Sequence, residues 1–209
     1  MWFQFWKKKK LAPVLQPAKW LLVPLGNPGG EYACTRHNLG RLMVQRWMDA
    51  HCAEPQAIHG FTYGSIYRLG DGVDALVPNT YMNSNGKVVA EAVEAGLPLE
   101  RMLVIYDDKD LPLGTGRLSK SGGSGGHRGL QGILDGLQTD SFLRLRLGIG
   151  PFLRPLSDWV LGEWEQEEWA AIEKMDAPFS RFLELLVNFG DTVDLQSRAN
   201  APAFWGQGR

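Results

Sequence analysis

The sequence predicts an α/β domain with helices on both faces of a sheet. The length of 209 residues fits a single domain, and 44% hydrophobic with 22% charged residues is near the globular average. This composition excludes collagen-like, coiled-coil and wholly disordered chains. Short apolar runs typical of buried strands alternate along the chain with segments of helical apolar spacing, and that alternation is what indicates the fold class.

The first half of the chain contains a strand, a helix and a hairpin by pattern. The apolar run Trp20–Leu25 ends in the turn sequence Gly26–Gly30, which predicts a buried strand that enters a loop. From His37 onward the apolar residues are spaced as on a helix. Phe61–Arg68 and Val73–Val77 are separated by a Gly-Asp-Gly turn, which predicts a hairpin.

The second half continues the alternation. Val88–Val93 has helical spacing, with Gly96 as its stop signal. Met102–Tyr106 is an apolar strand that delivers three aspartates at its carboxyl end. Leu130–Leu137 carries apolar residues on one helical face, and Leu143–Ile149 is another strand. Two further helical stretches are predicted between residues 165 and 196, with a break near residues 176–178.

Two terminal segments are predicted to lie outside the domain, which we assign to residues 19–200. Residues 1–18 hold four consecutive lysines that follow aromatic residues instead of preceding an apolar segment, so they do not form a secretory signal. We expect a disordered basic extension; binding to an anionic membrane or to RNA is the alternative. Residues 201–209 contain a proline and two glycines and are predicted to be a flexible tail.

Composition and charge narrow the class of protein. No apolar run approaches the ~18 residues that span a bilayer, so no membrane insertion is expected. Two cysteines without metal-ligand spacing favour the reducing cytoplasm. The net charge is −1, but residues 117–154 are mostly basic and residues 158–194 hold ten acids against two bases. Such a division can steer an anion to one face; the alternative is solvated charge on opposite surfaces.

Polar side chains fall where the predicted strands end, which is where ligand sites of α/β sheets gather. They are Asn27 with His37 and Asn38, then Asn83, and Asp107 directly after the predicted strand that ends at Tyr106. A histidine can take a proton from water near neutral pH, a carboxylate can fix its other ring nitrogen, and asparagine amides can bind a peptide or an oxyanion. The set predicts hydrolysis of an ester or amide without a metal or a covalent intermediate.

Each of these residues has a structural interpretation too. His37 and Asn38 could begin a helix, Asn27 before a proline is a common turn residue, and Asn83 could cap the helix that follows. The aspartates from Asp107 onward could bind a cation or face solvent. We expect no dedicated metal site, because no second ligand cluster is visible.

A glycine-rich segment, Ser121–Gly126, precedes His127 and Arg128. Backbone N–H groups that lead into a helix can form an anion-binding concavity; a flexible loop over a cleft is the alternative. The segment lacks the Lys-Ser/Thr of a P-loop and the spacing of a dinucleotide fingerprint. Arg144 and Arg146 are two apart on a strand and should point to one face, which would suit phosphates.

Five blocks in order resemble the bacterial peptidyl-tRNA hydrolase family, over about residues 20–200. The blocks are Leu25–Tyr32 continuing through Thr35–Gly40, Pro78–Asn83 with Ser84 and Gly86, Asp107–Pro112, Gly125–Leu130 and Leu145–Gly150. The resemblance implies a monomeric three-layer α/β/α fold around a mixed, mostly parallel sheet. It also implies hydrolysis of the ester between peptide and tRNA, with no cofactor, which recycles tRNA from stalled or aborted translation.

The resemblance also implies roles for particular residues. His37 corresponds to the catalytic base and Asp107 to the carboxylate that orients it. Asn27 and Asn83 are expected to hold the peptide. The full set expected to bind the substrate is Asn27, Tyr32, Tyr81, Asn83, His127 and Arg128, of which Arg128 is also expected to contact tRNA phosphate. The residues expected to contact tRNA phosphate are Arg117, Lys120 and Arg146.

The chain departs from the family pattern at three positions. Arg128 stands where the family commonly has asparagine; a guanidinium cannot accept a hydrogen bond, but it can donate to an oxyanion or a phosphate. Pro24 removes a backbone donor at the end of a strand, and Ser119 stands at a usually basic position. Two alternatives therefore stay open: a catalytically weak RNA- or protein-binding paralogue similar to organellar splicing cofactors, and hydrolysis of another ester such as an N-acyl amino-acid ester.

Overall fold

The computed structural model describes residues 18–52, 55–70, 72–152, 155–190 and 193–206. Residues 1–17, and with them nearly all of the predicted basic extension, lie outside the described residues. Within the described ranges, one sheet of seven strands has the order β2-β3-β4-β1-β5-β7-β6. The strands are β1 (Trp20–Pro24), β2 (Gln56–Gly60), β3 (Gly64–Gly70), β4 (Val73–Pro78), β5 (Met102–Pro112), β6 (Gly116–Ser119) and β7 (Leu143–Gly150).

The centre of the sheet is parallel and its margins are antiparallel. Strands β4, β1, β5 and β7 run in the same direction, whereas β3 pairs antiparallel with β4 and β6 antiparallel with β7. The residues of β1 are buried throughout, as expected for a central strand that is covered on both faces. The predicted hairpin is confirmed as β3 and β4.

Helices cover both faces of the sheet and complete the predicted three layers. The helices are α1 (Leu39–His51), α2 (Gly86–Glu94), α3 (Arg128–Leu137), α4 (Leu156–Val160), α5 (Gln166–Glu173), α6 (Asp176–Phe189) and α7 (Val193–Ala199). Apolar residues of α1, α5, α6 and α7 join one core cluster with Leu22 and Leu103. Those of α2 and α3 join a second cluster with Leu21 and Val104, because neighbouring residues of a strand point to opposite faces.

The sequence patterns missed two marginal strands and misplaced some boundaries. Strand β2 is half exposed and β6 has a single large apolar residue, Leu118, so neither carries the apolar run that marks a buried strand. Strand β5 continues past the predicted end at Tyr106 to Pro112, with an irregularity in its pairing after Asp108. The helical break lies before Asp176, because Pro178 falls in the first turn of α6, where a proline is tolerated.

Residues 201–206, which the sequence patterns assign to a flexible tail, pack against the domain in the structure. Pro202–Trp205 form a 3₁₀ turn, and Trp205 is buried against Gly116, where a Cβ atom would meet the indole ring. The indole Nε1 donates to the Ala199 carbonyl over 2.8 Å. Burial of a whole indole outweighs the flexibility suggested by the proline and glycines around it.

Candidate active site

A cavity of about 880 Å³ lies at the carboxyl ends of β1, β4 and β5. This is the edge of the sheet where the sequence analysis placed the polar clusters. Nine of the eleven predicted site residues line the cavity, and the other two, Arg117 and Lys120, do not. The nine are Asn27, Tyr32, His37, Tyr81, Asn83, Asp107, His127, Arg128 and Arg146.

Asp107 is held between two histidines at the bottom of this cavity. Its carboxylate, only 3% exposed, lies 2.9 and 3.1 Å from Nδ1 of His37 and 3.0 Å from Nε2 of His127. Nδ1 of His127 accepts from the Leu130 N–H at the start of α3, so its Nε2 carries the proton that is donated to Asp107. His37 likewise donates from Nδ1, which leaves its Nε2 able to accept a proton.

The electrostatics of the pair favour a basic histidine. Burial alone would raise the pKa of Asp107, but attraction to His37 and His127 and their hydrogen bonds outweigh it and hold that pKa well below its usual range. Burial lowers the pKa of His37, yet the charge of Asp107 and its hydrogen bond more than compensate, so the pKa is raised above 6.5. Arg128 opposes this effect by its positive charge.

A close approach of backbone brings His37 to Asp107. A Cβ atom on Gly40, in the first turn of α1, would lie 2.4 Å from the carbonyl oxygen of Ile105, so a glycine is required here. Helix α1 can therefore begin directly against β5, just before the strand reaches Asp107. His37 lies in the short 3₁₀ turn Arg36–Asn38 that leads into α1.

The loop that carries Asn27 is fixed by side chains from α1 and the residue before it. Asn38 accepts from the Asn27 N–H over 2.8 Å and donates to its carbonyl over 2.9 Å. Arg41 donates to the same carbonyl (3.0 Å) and to that of Pro78, which joins the loops after β1 and β4. The Asn27 side-chain oxygen accepts from the Met82 N–H (2.7 Å), so its amide NH₂ is what it can offer to a ligand.

Asn83 lies exposed on the rim of the cavity, in the 3₁₀ turn Met82–Ser84. The interpretation of Asn83 as a helix cap is wrong, because Asn85 occupies the cap position of α2. The fully buried Asn85 accepts from the Gly26 N–H and donates to the Thr80 carbonyl, both over 2.9 Å. Asn85 is a support of the site that the sequence analysis missed.

Aromatic and aliphatic side chains form the apolar part of the cavity. Tyr32 and Tyr81 meet edge to face with ring centroids 6.0 Å apart, and Tyr81 is 58% exposed. Leu156, Val160 and Leu161, from α4 and the residue after it, also line the cavity. These three were missed, because a five-residue helix is too short to show apolar periodicity.

The basic residues divide into a buried one and more exposed ones. Arg144 is buried and donates to the carbonyls of Gly122 and Asp140, so it fixes the glycine-rich loop and is not half of a paired phosphate face as the spacing suggested. Arg146 is half-buried and pairs with Asp108 over 2.5 Å, and exposed Arg117 lies opposite it on β6. Lys120 follows the end of β6.

Arg128 is exposed at the first position of α3 and lines the cavity near His37. Among the described residues, none forms a hydrogen bond or an ion pair with its guanidinium, unlike those of Arg144 and Arg146. Its charge is therefore available to an anion in the cavity.

The two histidines and Asp107 also place three metal-ligand atoms within 4.8 Å of one another. The Asp107 carboxylate and both ring nitrogens of His127 already take part in the hydrogen bonds described above. Coordination by Nε2 of His127 would require that nitrogen to lose its proton, while Nδ1 is occupied by the Leu130 N–H. The arrangement fits a chain of hydrogen bonds better than a metal centre.

The fold and the site define an α/β protein with a hydrogen-bonded histidine–aspartate pair at the carboxyl ends of parallel strands. A sequence model of the peptidyl-tRNA hydrolase family matches residues 21–204. Peptidyl-tRNA hydrolase from Pseudothermotoga lettingae is 37% identical over 176 residues, which cover 81% of this chain and 91% of that protein. The chain belongs to the peptidyl-tRNA hydrolase family.

Further relatives agree with this assignment. Peptidyl-tRNA hydrolase from Prochlorococcus marinus is 36% identical over 181 residues, covering 81% of this chain and 88% of its own. The crystal structure of peptidyl-tRNA hydrolase from Acinetobacter baumannii is 33% identical, with a TM-score of 0.77 over 88% of this chain and 96% of that one. None of the helices in the described ranges is both long and apolar enough to cross a membrane.

Proposed function

We propose that this protein hydrolyses the ester bond between the peptide and the tRNA of peptidyl-tRNA, as a monomer in the cytoplasm, and so recycles tRNA from stalled or aborted translation. The observation that carries the proposal is the His37 imidazole, fixed by buried Asp107 on one side and free to accept a proton on the other. It lies in a cavity that also presents Asn27 and Asn83.

His37 acts as the general base. Its Nε2 takes a proton from a water molecule as the water oxygen attacks the ester carbonyl carbon, and Asp107 stabilises the imidazolium that forms. The tetrahedral intermediate collapses with cleavage of the bond to the ribose oxygen, which receives a proton. The products are a peptide carboxylate and a tRNA with a free hydroxyl. Positioned base catalysis of this kind contributes about 10²–10⁴-fold.

Asparagine amides recognise the peptide. The Asn27 NH₂ group is oriented by the bond from its oxygen to the Met82 N–H and donates to a peptide carbonyl. Asn83 is exposed at the rim, and Tyr32 and Tyr81 supply an apolar surface for side chains. An aminoacyl-tRNA lacks the peptide amide next to the ester, so it leaves the side-chain amides of these asparagines unpaired and is rejected.

The tRNA contacts the basic side of the cavity through its phosphates. Arg117 and Arg146 are cross-strand neighbours and form one end of this surface. Lys120 follows Arg117 just after the end of β6, and Arg128 lies at the cavity. Phosphate contacts position the substrate without reading its sequence, and they weaken as salt rises. A binding paralogue without activity has no support, because the His37–Asp107 pair is complete.

The test is release of N-acetyl-aminoacyl groups from tRNA by the wild type and by His37→Ala. We expect cleavage by the wild type, a loss of about 10²–10⁴-fold in the variant, and no cleavage of unacetylated aminoacyl-tRNA. Equal rates for the two proteins would refute the role of His37. Equally fast cleavage of an N-acyl amino-acid ester without tRNA would favour the other-ester alternative.

A further inference from the structure

Arg36, the residue before the catalytic base, has a fully buried side chain. Its guanidinium carbon lies 3.9 Å from the ring centroid of Trp159 and 5.2 Å from that of Trp164. Its Nη2 pairs with Glu168 over 2.5 Å. A buried ion pair contributes little stability compared with apolar residues of the same size, so this pair calls for a reason other than stability.

The backbone around Arg36 is tied to one distant segment. The Arg36 N–H donates to the Gly162 carbonyl (3.1 Å), and the Trp164 N–H donates to the Cys34 carbonyl (3.3 Å). The Arg36 side chain adds a third bond, from Nη1 to the Glu163 carbonyl over 2.8 Å. The segment that precedes His37 is therefore joined to residues 162–164 by three hydrogen bonds.

That distant segment directly follows the apolar wall of the cavity. Residues 162–164 continue from α4, whose Leu156 and Val160 line the cavity, while Trp159 of the same helix points away and stacks on Arg36. The Trp159 indole also donates to the Ile149 carbonyl on β7 over 3.0 Å. Arg36 is thus in contact with the wall on one side and adjoins the catalytic base on the other.

We infer that Arg36 is a positioning residue for the reaction. Together with Trp159, Trp164 and Glu168 it sets the position of His37 relative to Asp107 and to the α4 wall. We call these four residues the Arg36 clamp. The inference rests on the proposed function for its kinetic consequences, but the placement of His37 against Asp107 can be measured separately.

The fork shape of the guanidinium is what the clamp requires. Arg36 bonds a carbonyl and a carboxylate from two nitrogens at once, and Glu168 is itself fixed because it accepts from the Glu165 N–H over 2.8 Å in a capping box. A lysine keeps the charge but offers a single nitrogen that cannot reproduce the fork. Arg36→Lys therefore changes geometry while it preserves charge.

The experiment compares Arg36→Lys with the milder Trp164→Phe and a control, Arg46→Met. Arg46 also forms a two-bond ion pair, with Asp176 over 2.5 and 2.8 Å, but it joins α1 to α6 away from the cavity. Trp164→Phe keeps an aromatic ring but removes part of the buried indole, including an N–H for which the structure gives no hydrogen-bond partner. If Arg36→Lys does not fold, Trp164→Phe alone tests whether the clamp positions His37.

The readouts are the His37 imidazole titration followed by NMR, kcat and KM on N-acetyl-aminoacyl-tRNA, and the thermal midpoint. Loosening of the Asp107 contact lowers the pKa of His37 toward its ordinary value, and misplacement of about 1 Å lowers kcat by up to about 10²-fold. We expect both changes in the clamp variants and neither in Arg46→Met, even at an equal loss of thermal stability.

Two outcomes separate the inference from the proposed function. If the clamp variants lose thermal stability while the His37 titration, kcat and KM match those of Arg46→Met, Arg36 has a structural role only and the inference falls. If the wild type releases no N-acetyl-aminoacyl groups, the proposed function falls. The His37 titration in the same variants then still decides whether Arg36 positions the histidine.

Discussion

The two sides of the cavity are built on different principles. On the side that holds His37, which we call the His37 side, the polar groups are buried and hydrogen-bonded within the protein. Asp107 forms hydrogen bonds with two histidines, and Asn27 is held by hydrogen bonds of its backbone and its side chain. On the basic side, Arg117 and Arg128 are exposed, and Arg146 is half-buried in an ion pair. Buried hydrogen bonds fix geometry and are weakly screened, whereas exposed charges attract over a distance and are screened by salt.

This difference predicts two kinds of mutational effect. A substitution on the His37 side should alter kcat and its pH dependence, and the size of this effect should not depend on salt. A change on the basic side should alter affinity and its salt dependence and should leave the chemical step nearly intact.

Asp107→Asn should have the largest effect. An asparagine that accepts from His127 Nε2 presents its NH₂ group to His37 Nδ1, which favours the tautomer with the proton on Nε2, so the base cannot take a proton from water. We expect kcat to fall by about 10²–10⁴-fold with little change in KM. The pKa of His37, raised by Asp107, should also fall, as a pH titration of the imidazole would show.

The matched control for Asp107→Asn is Asp108→Asn, on the next residue of the same strand. Asp108 pairs with Arg146 and not with a histidine, so kcat should change little. Equal losses of kcat in the two variants would contradict the assignment of Asp107 as the partner of the base.

Arg128→Asn should have an intermediate effect, because Arg128 touches both sides. Its positive charge lowers the pKa of His37, so removal of the charge raises that pKa. A base with a raised pKa stays protonated to a higher pH, and the acid limb of the pH profile of kcat/KM should therefore move to higher pH. Arg128→Lys keeps the charge and should leave the acid limb in place.

The salt dependence separates two roles of Arg128. If it also contacts tRNA phosphate, Arg128→Asn lowers the slope of log KM against log salt by about one. If the acid limb of the pH profile moves while the salt slope stays unchanged, Arg128 acts on the His37 side alone. No change in either measurement would show that the residue points away from the substrate.

The fold could be predicted from local patterns wherever a strand is central. Trp20–Leu25 is recognisable because a strand covered on both faces must be apolar throughout, and it was assigned correctly to within one residue. Strand β2 pairs on one side only and keeps polar residues, so nothing local distinguishes it from a loop. Trp205 was assigned to a tail because its packing partner, Gly116, is distant in sequence.

The same limit applies to the site. His37, Asp107, Asn27 and Asn83 could be proposed because they follow predicted strands and fall in motifs. The residues that support them could not, since their partners are far along the chain: Asn85 bonds Gly26, 59 positions away. Local sequence indicates chemistry, whereas the support of that chemistry is a property of the packed fold.

Arg146→Met and Arg117→Met should have the smallest effect on rate and the clearest effect on salt dependence. Each removes one cation from the cross-strand pair that we propose contacts phosphate, so the slope of log KM against log salt should fall by about one per contact. The kcat value and the His37 titration should stay as in the wild type. Arg101→Met is the control, because Arg101 is exposed at the amino end of β5, at the opposite end of the strand from Asp107.

The Arg146, Arg117 and Arg101 variants distinguish a defined phosphate-binding surface from a general response to charge. If Arg146→Met lowers kcat instead of the salt slope, its ion pair with Asp108 belongs to the support of the catalytic strand, and the basic side is smaller than proposed. If Arg101→Met lowers the slope as much as Arg146→Met does, binding responds to net charge and not to a defined surface. A fall in slope for Arg117 and Arg146 alone, at constant kcat, means that geometry supplies the rate and exposed charge supplies the affinity.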